Sequence, residues 1–248
     1  MVDKNSITNA TVFSFNYPPS PDAFAEGVII PIDKPLGWTS ADVVRKIKFA
    51  LQRKTNQKKL KVGHAGTLDP LATGVLLVCT GKATKQAATL QAEEKEYIAE
   101  IAVGATTPSF DLERTIDARY PFAHITKAMV EAALKTFTGT QEQIPPVFSA
   151  KMLGGKRAYK FAHAGQDAVM QPSVITIYEM ELISFDLPKF TVRIVCSKGT
   201  YIRALARDLG VALQSGAHLT NLRRTRSGKF NIQTVISLND FEKFLLDI

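Results

Sequence analysis

The chain is poor in cysteine and has no long apolar run. Of its 248 residues only Cys79 and Cys196 are cysteines. Both sit in apolar stretches of strand type, which predicts buried free thiols rather than a disulfide. Neither a Cys-x-x-Cys pair nor a His/Cys cluster occurs, so the usual thiolate metal site is missing. The first residues lack a basic stretch followed by an apolar one, the pattern of a signal peptide. Apolar runs fall far short of the roughly 20 residues needed to cross a bilayer. These absences predict a soluble protein of a reducing compartment, the cytoplasm. Three catalytic patterns are also missing. No second carboxylate stands near Asp69, as a glycosidase pair requires. No Ser/His nucleophile elbow is present. Gly74 to Gly81-Lys82 has the wrong spacing for a phosphate loop, and Ala83 stands where a hydroxyl residue belongs.

Positive charge is present, and it is concentrated. The net charge is +8. Residues 33–62 hold nine Lys or Arg against Asp33 and Asp42, and residues 189–229 hold nine against Asp208 alone. The remainder is net acidic. Two basic segments of this kind suit a polyanion such as nucleic acid, although solvated surface lysine produces the same count.

A length of 248 residues is enough for a sizeable core. Residues 1–26 are polar and Pro-rich and read as an extension with little structure of its own. Residues 27–248 read as one domain. Val28 to Ile32 reads as a strand, followed by a turn ending in Ser40 as helix N-cap. Val43, Ile47 and Leu51 then recur at helical spacing, with Arg45, Lys46 and Lys48 opposite. Gln52 to Lys61 reads as a basic loop. Tyr97, Ala99, Ile101 and Val103 alternate as in a strand. Thr126 is placed to cap a helix carrying Val130, Ala133 and Leu134. Val174 to Phe185 and Phe190 to Cys196 read as strands around Pro188. Tyr201 to Leu213 and Phe241 to Leu246 read as helices. Strands and helices out of strict βαβ order predict an α/β (α+β) fold, a mixed, largely antiparallel central sheet flanked by helices.

The most informative stretch is Gly63-His64-Ala65-Gly66-Thr67-Leu68-Asp69-Pro70-Leu71-Ala72-Thr73-Gly74. Pro70 disfavours the helical region for Asp69, and the apolar run Val75 to Val78 follows. Asp69 is therefore expected on a loop anchored by a buried strand, the setting in which catalytic side chains are often displayed. Taken singly, a turn-forming Asp, a satisfied His, a core Tyr and a surface Arg are all ordinary.

Their order changes that. Residues 63–74 resemble the nucleophile signature of the TruB family of tRNA pseudouridine synthases, and Gly81-Lys82-Ala83-Thr84-Lys85 resembles the motif after it. Asp33-Lys34-Pro35-Leu36-Gly37-Trp38-Thr39-Ser40 looks like the family's first motif. Glu94-Lys95-Glu96-Tyr97 looks like its tyrosine strand. Pro145 to Lys151 with Gly155 and Tyr159, Ser197 to Arg203, and Leu222 to Gly228 look like three further blocks. The resemblance runs over residues 28–238.

This resemblance implies a pseudouridine synthase fold with a catalytic cleft. It implies isomerisation of the T-loop uridine at tRNA position 55, with no cofactor and no metal. Asp69 takes the nucleophile's role, Arg203 pairs with it, and Tyr97 stacks on the extruded base and accepts a proton. His64 helps hold the opened loop and Leu222 packs on the base. Lys34, Thr67, Tyr201, Arg223 and Arg224 complete the RNA-contacting set. The partner is the tRNA T stem-loop, bound by a monomer without guide RNA or membrane. Two departures stand out. The chain stops at Ile248, before room for the PUA domain that many bacterial relatives carry, and His163 stands where an arginine is frequent. Asp111 remains in an acidic pattern otherwise altered by Pro108 and receives no role. The alternatives are a guide-RNA-dependent catalytic subunit of dyskerin type and an RNA-binding protein without catalysis.

Overall fold

A computed structural model of the protein describes residues 10–16, 18–149, 151–153, 155–158, 161 and 169–247. Tyr159 and His163, named above, lie outside the described residues. The chain divides into two compact units, Met1–Lys95 with Arg223–Ile248, and Glu96–Leu222.

In the first unit the strand Val28–Lys34 pairs antiparallel with Ala72–Thr80, from Ile29 opposite Cys79 to Lys34 opposite Gly74. Both strands are almost continuously buried, as a strand covered on two faces should be. Val62–Ala65 adds to Ala72–Thr80, with His64 opposite Val78. The helix Ser40–Thr55 buries Val43, Ile47 and Leu51, the expected stripe. Its N-cap is Thr39 rather than Ser40. The Thr39 hydroxyl accepts from Asp42 N, and the Asp42 carboxylate reaches back to Thr39 N, a capping box. That arrangement frees the Ser40 hydroxyl for other work.

The N-terminal expectation is corrected. Thr11–Val12 forms a strand parallel to Val28–Lys34, and Ala23–Glu26 forms a helical turn. Phe13 and Phe24 are buried, and both meet Phe241 edge to face. Aromatic burial of this size supports order despite the prolines. Phe241 belongs to the terminal helix Leu238–Asp247, longer than the pattern suggested.

In the second unit the sheet order is Lys95–Val103, Lys189–Cys196, Ser173–Asp186, Gly139–Gln143. Ser173–Asp186 runs antiparallel to both Lys189–Cys196 and Gly139–Gln143. Tyr97, Ala99, Ile101 and Val103 are all buried, as their alternation predicts. Thr126 caps the helix Lys127–Thr136 through Met129 N, and the helix Ile202–Ala212 carries Arg203 in its first turn. The fold is the mixed α/β class read from the sequence.

Both cysteines are buried free thiols, and burial pushes the Cys79 thiol up to about 11. Ellman's reagent is expected to leave both unreacted in the native protein and to release both in denaturant. Rapid native reaction of either contradicts this packing.

Candidate active site

In the first unit the backbone around Asp69 forms a tight, fully occupied turn. Asp69 itself is half-buried, and its carbonyl accepts from Ala72 N at 3.1 Å. The Gly66 carbonyl accepts from Arg224 Nη2 at 3.0 Å, and the Thr67 carbonyl from Arg224 Nη1 at 3.4 Å. The Leu68 carbonyl accepts from Ser40 Oγ at 3.0 Å, while Leu68 N donates to that same oxygen at 2.8 Å. The Pro70 carbonyl accepts from Gly37 N at 2.9 Å and from Lys34 Nζ at 3.3 Å. Every carbonyl from 66 to 70 thus has a donor, which fixes the turn more tightly than loop backbone exposed to water. Gly74 closes it off: its φ is +100°, and a Cβ there would lie 2.2 Å from the Arg224 carbonyl.

Lys34 and Arg224 do not have the exposed position an RNA contact requires. Lys34 is fully buried and Arg224 is 1% exposed. The Lys34 ammonium donates to the Pro35, Trp38 and Pro70 carbonyls, using all three protons. Arg224 adds a 2.7 Å bond from Nε to the Val75 carbonyl. Both side chains are spent on backbone, so their assignment to the RNA-contacting set is withdrawn. Arg223 is half-buried and grips Asp33 with both terminal nitrogens, at 2.7 and 3.2 Å. Thr67 is exposed and His64 half-buried.

The second unit holds the other expected residues. Tyr97 is buried on its strand, and Leu222 is buried. Arg203 is 4% exposed, donating to the Ser109 and Phe148 carbonyls at 3.0 and 2.9 Å. Its Nε lies 3.5 Å from Asp111 Oδ2, and Asp111 is equally buried. Asp111, given no role from sequence, is therefore a counter-charge for the buried guanidinium. Its backbone is held by Thr107 Oγ1 at 2.7 Å, and its side chain accepts from Glu113 N at 3.0 Å. Gln143 is a second residue the sequence reading missed. Its amide nitrogen donates to the Tyr201 carbonyl and its amide oxygen accepts from Tyr201 N, clamping the N-cap residue two positions before Arg203. A buried Gln at a strand end facing a helix start was the available signal. Tyr201 is half-buried. No group of three metal-ligating side chains occurs among the described residues, and no helix there is long and apolar enough to cross a membrane.

Burial lowers the Lys34 pKa to about 8, opposed by the Asp69 charge and reinforced by that of Arg224. The unfolded chain therefore holds a proton between about pH 8 and 10.5 that the folded chain has shed. This group's contribution to stability is least favourable below pH 8 and rises from pH 8 to 10.5. Lysine 13Cε NMR, assigned with Lys34→Arg, is expected to show a midpoint near 8; a midpoint at 10.5 refutes the buried placement. For the other buried pair, Asp111→Asn is expected to cost about 3 kcal/mol in denaturant unfolding. An unchanged midpoint removes Asp111 as the counter-charge.

Comparison with known proteins shows the family. The profile described as TruB family pseudouridylate synthase (N terminal domain) matches residues 52–202, and that of the tRNA pseudouridylate synthase B C-terminal domain matches residues 203–247. The tRNA pseudouridine synthase B of Phocaeicola vulgatus is 56% identical, over 90% of this chain and 94% of the relative. That of Flavobacterium johnsoniae is 47% identical over 91% and 99%. Among solved structures, a chain of a Cbf5-Nop10-Gar1 complex superposes with a TM-score of 0.67 at 29% identity, over 95% of this chain and 61% of that one. This chain therefore spans about three fifths of the solved chain. On these matches, the chain belongs to the TruB family.

Proposed function

We propose that this protein is a tRNA pseudouridine synthase, converting the T-loop uridine at position 55 to pseudouridine. The observation that carries the reading is the braced Asp69 turn, inside the stretch matched by the family profile. The names of relatives sharing 90% of the chain support the substrate. In the reaction the N1–C1′ bond breaks, the base turns, and a C5–C1′ bond forms. The C5 proton leaves and N1 gains one, so nothing is oxidised or hydrolysed overall. A positioned carboxylate serves such a step as nucleophile, and Asp69 takes that role. Arg203 holds its charge, Tyr97 stacks on the extruded base and accepts the proton, and Leu222 packs on the base.

Everting a base costs a few kcal/mol, and contacts from His64, Thr67, Tyr201 and Arg223 contribute to holding the opened loop. The exposed cations of the helix Ser40–Thr55 and the loop after it supply backbone contacts, which position without reading sequence. No guide RNA, cofactor or metal enters this reading, and the chain acts as a monomer in the cytoplasm.

Tritium release from 5-labelled uridine in an unmodified tRNA transcript, with no other protein or RNA added, tests it. The parent is expected to release tritium, and Asp69→Asn to release none. Equal release from both rejects Asp69; no release from a folded parent rejects the activity.

A further inference from the structure

We infer that Arg224 and Ser40 are positioning residues for Asp69, acting on the reaction through the backbone of its turn and not through RNA. The inference rests on the reading of Asp69 as nucleophile. Its basis is the distribution of bonds. Arg224 takes the carbonyls of residues 66 and 67, before Asp69, and that of residue 75, after it. Ser40 takes both polar backbone groups of Leu68, the residue adjoining Asp69. The turn is thus tied to the strand Ala217–Ser227 on one side and to the start of a helix on the other. Both side chains are buried, at 1% and 2% exposure, so neither reaches a phosphate. The bonding also explains why the residues differ in type. Three carbonyls spread over ten positions need a planar fork, which Arg has and Lys lacks. One residue's N–H and C=O need a single group that both donates and accepts, which a hydroxyl is.

A displaced nucleophile loses rate while binding survives, because a misplacement of about 1 Å costs about a hundredfold. Ser40→Ala and Arg224→Lys are therefore compared with Thr39→Ala, which removes the cap of the same helix but touches no carbonyl of the turn. The readouts are folding by circular dichroism, single-turnover kcat, tRNA Kd and its salt slope. Expected are a fall in kcat of about ten- to hundredfold for Ser40→Ala and Arg224→Lys, with Kd within about twofold of the parent, an unchanged salt slope and parental kcat for Thr39→Ala. A folded Ser40→Ala with parental kcat overturns the inference. So does an equal loss in Thr39→Ala, since destabilisation alone then accounts for it. A salt slope reduced by about one in the charge-neutralising Arg224→Gln, with kcat intact, makes Arg224 an RNA contact instead. If Asp69→Asn is inactive while the two brace variants are normal, the brace alone falls. If Asp69→Asn is active, the nucleophile reading falls and the brace with it.

Discussion

One short turn, Gly66 to Pro70, is the constraint on which the first unit is arranged. Five consecutive carbonyls point at donors from a helix start, two buried cations and neighbouring backbone. Turn backbone normally faces water and gives its carbonyls to solvent. Here it is drawn into the protein, and each carbonyl needs a protein donor because burying one unmet costs about 1–3 kcal/mol. The acid in the middle gains a fixed direction. Pro70 and the positive φ of Gly66 and Gly74 shape the path, and the donors hold it.

The buried cations are costly. Lys34, Arg224 and Arg203 are charged groups with almost no contact with water. Desolvation would favour shedding the proton, as it does in Lys34, but a guanidinium cannot neutralise itself at any ordinary pH. Each cation is instead surrounded by carbonyl oxygens, and Arg203 adds the Asp111 carboxylate. Removing one partner from such a cluster strands the other, so these side chains are coupled to local geometry in a way surface charges are not.

The sequence showed where patterns repeat and hid where single side chains turn inward. Alternation from Tyr97 to Val103 and the spacing of Val43, Ile47 and Leu51 come from apolar side chains choosing one face, and both were legible. The Asp69 turn was legible because Gly and Pro restrict backbone directly. Lys34 and Arg224 were misread as RNA contacts, since a basic residue in a basic segment looks the same whether exposed or buried. Asp111 was passed over because its partner lies distant in sequence, at Arg203. Thr39 and Ser40 are both good caps, and only the structure shows that the first caps while the second braces. The N-terminal residues were read as an extension with little structure of its own because prolines masked Phe13 and Phe24, two aromatics with an apolar destination.

The same accounting redistributes the positive charge. In residues 189–229, Arg203 and Arg224 are buried. Lys189 pairs with Glu100, Arg193 with Glu96, Arg207 with Asp208, Arg223 with Asp33 and Arg226 with Glu94. Besides buried Arg224, whose bonds go to carbonyls, only Lys198 and Lys229 lack an acidic partner among the described residues. That segment's formal charge is therefore largely neutralised at short range, and short-range pairing leaves little field for a phosphate. In residues 33–62 the balance is reversed. Arg45 and Lys46 are paired, but Lys48, Arg53, Lys54, Lys58, Lys59 and Lys61 have no acidic partner among the described residues. Two segments that look equivalent by composition thus differ in what they offer a polyanion. One uses most of its charge to build the protein, and the other keeps it unpaired by acids at the surface.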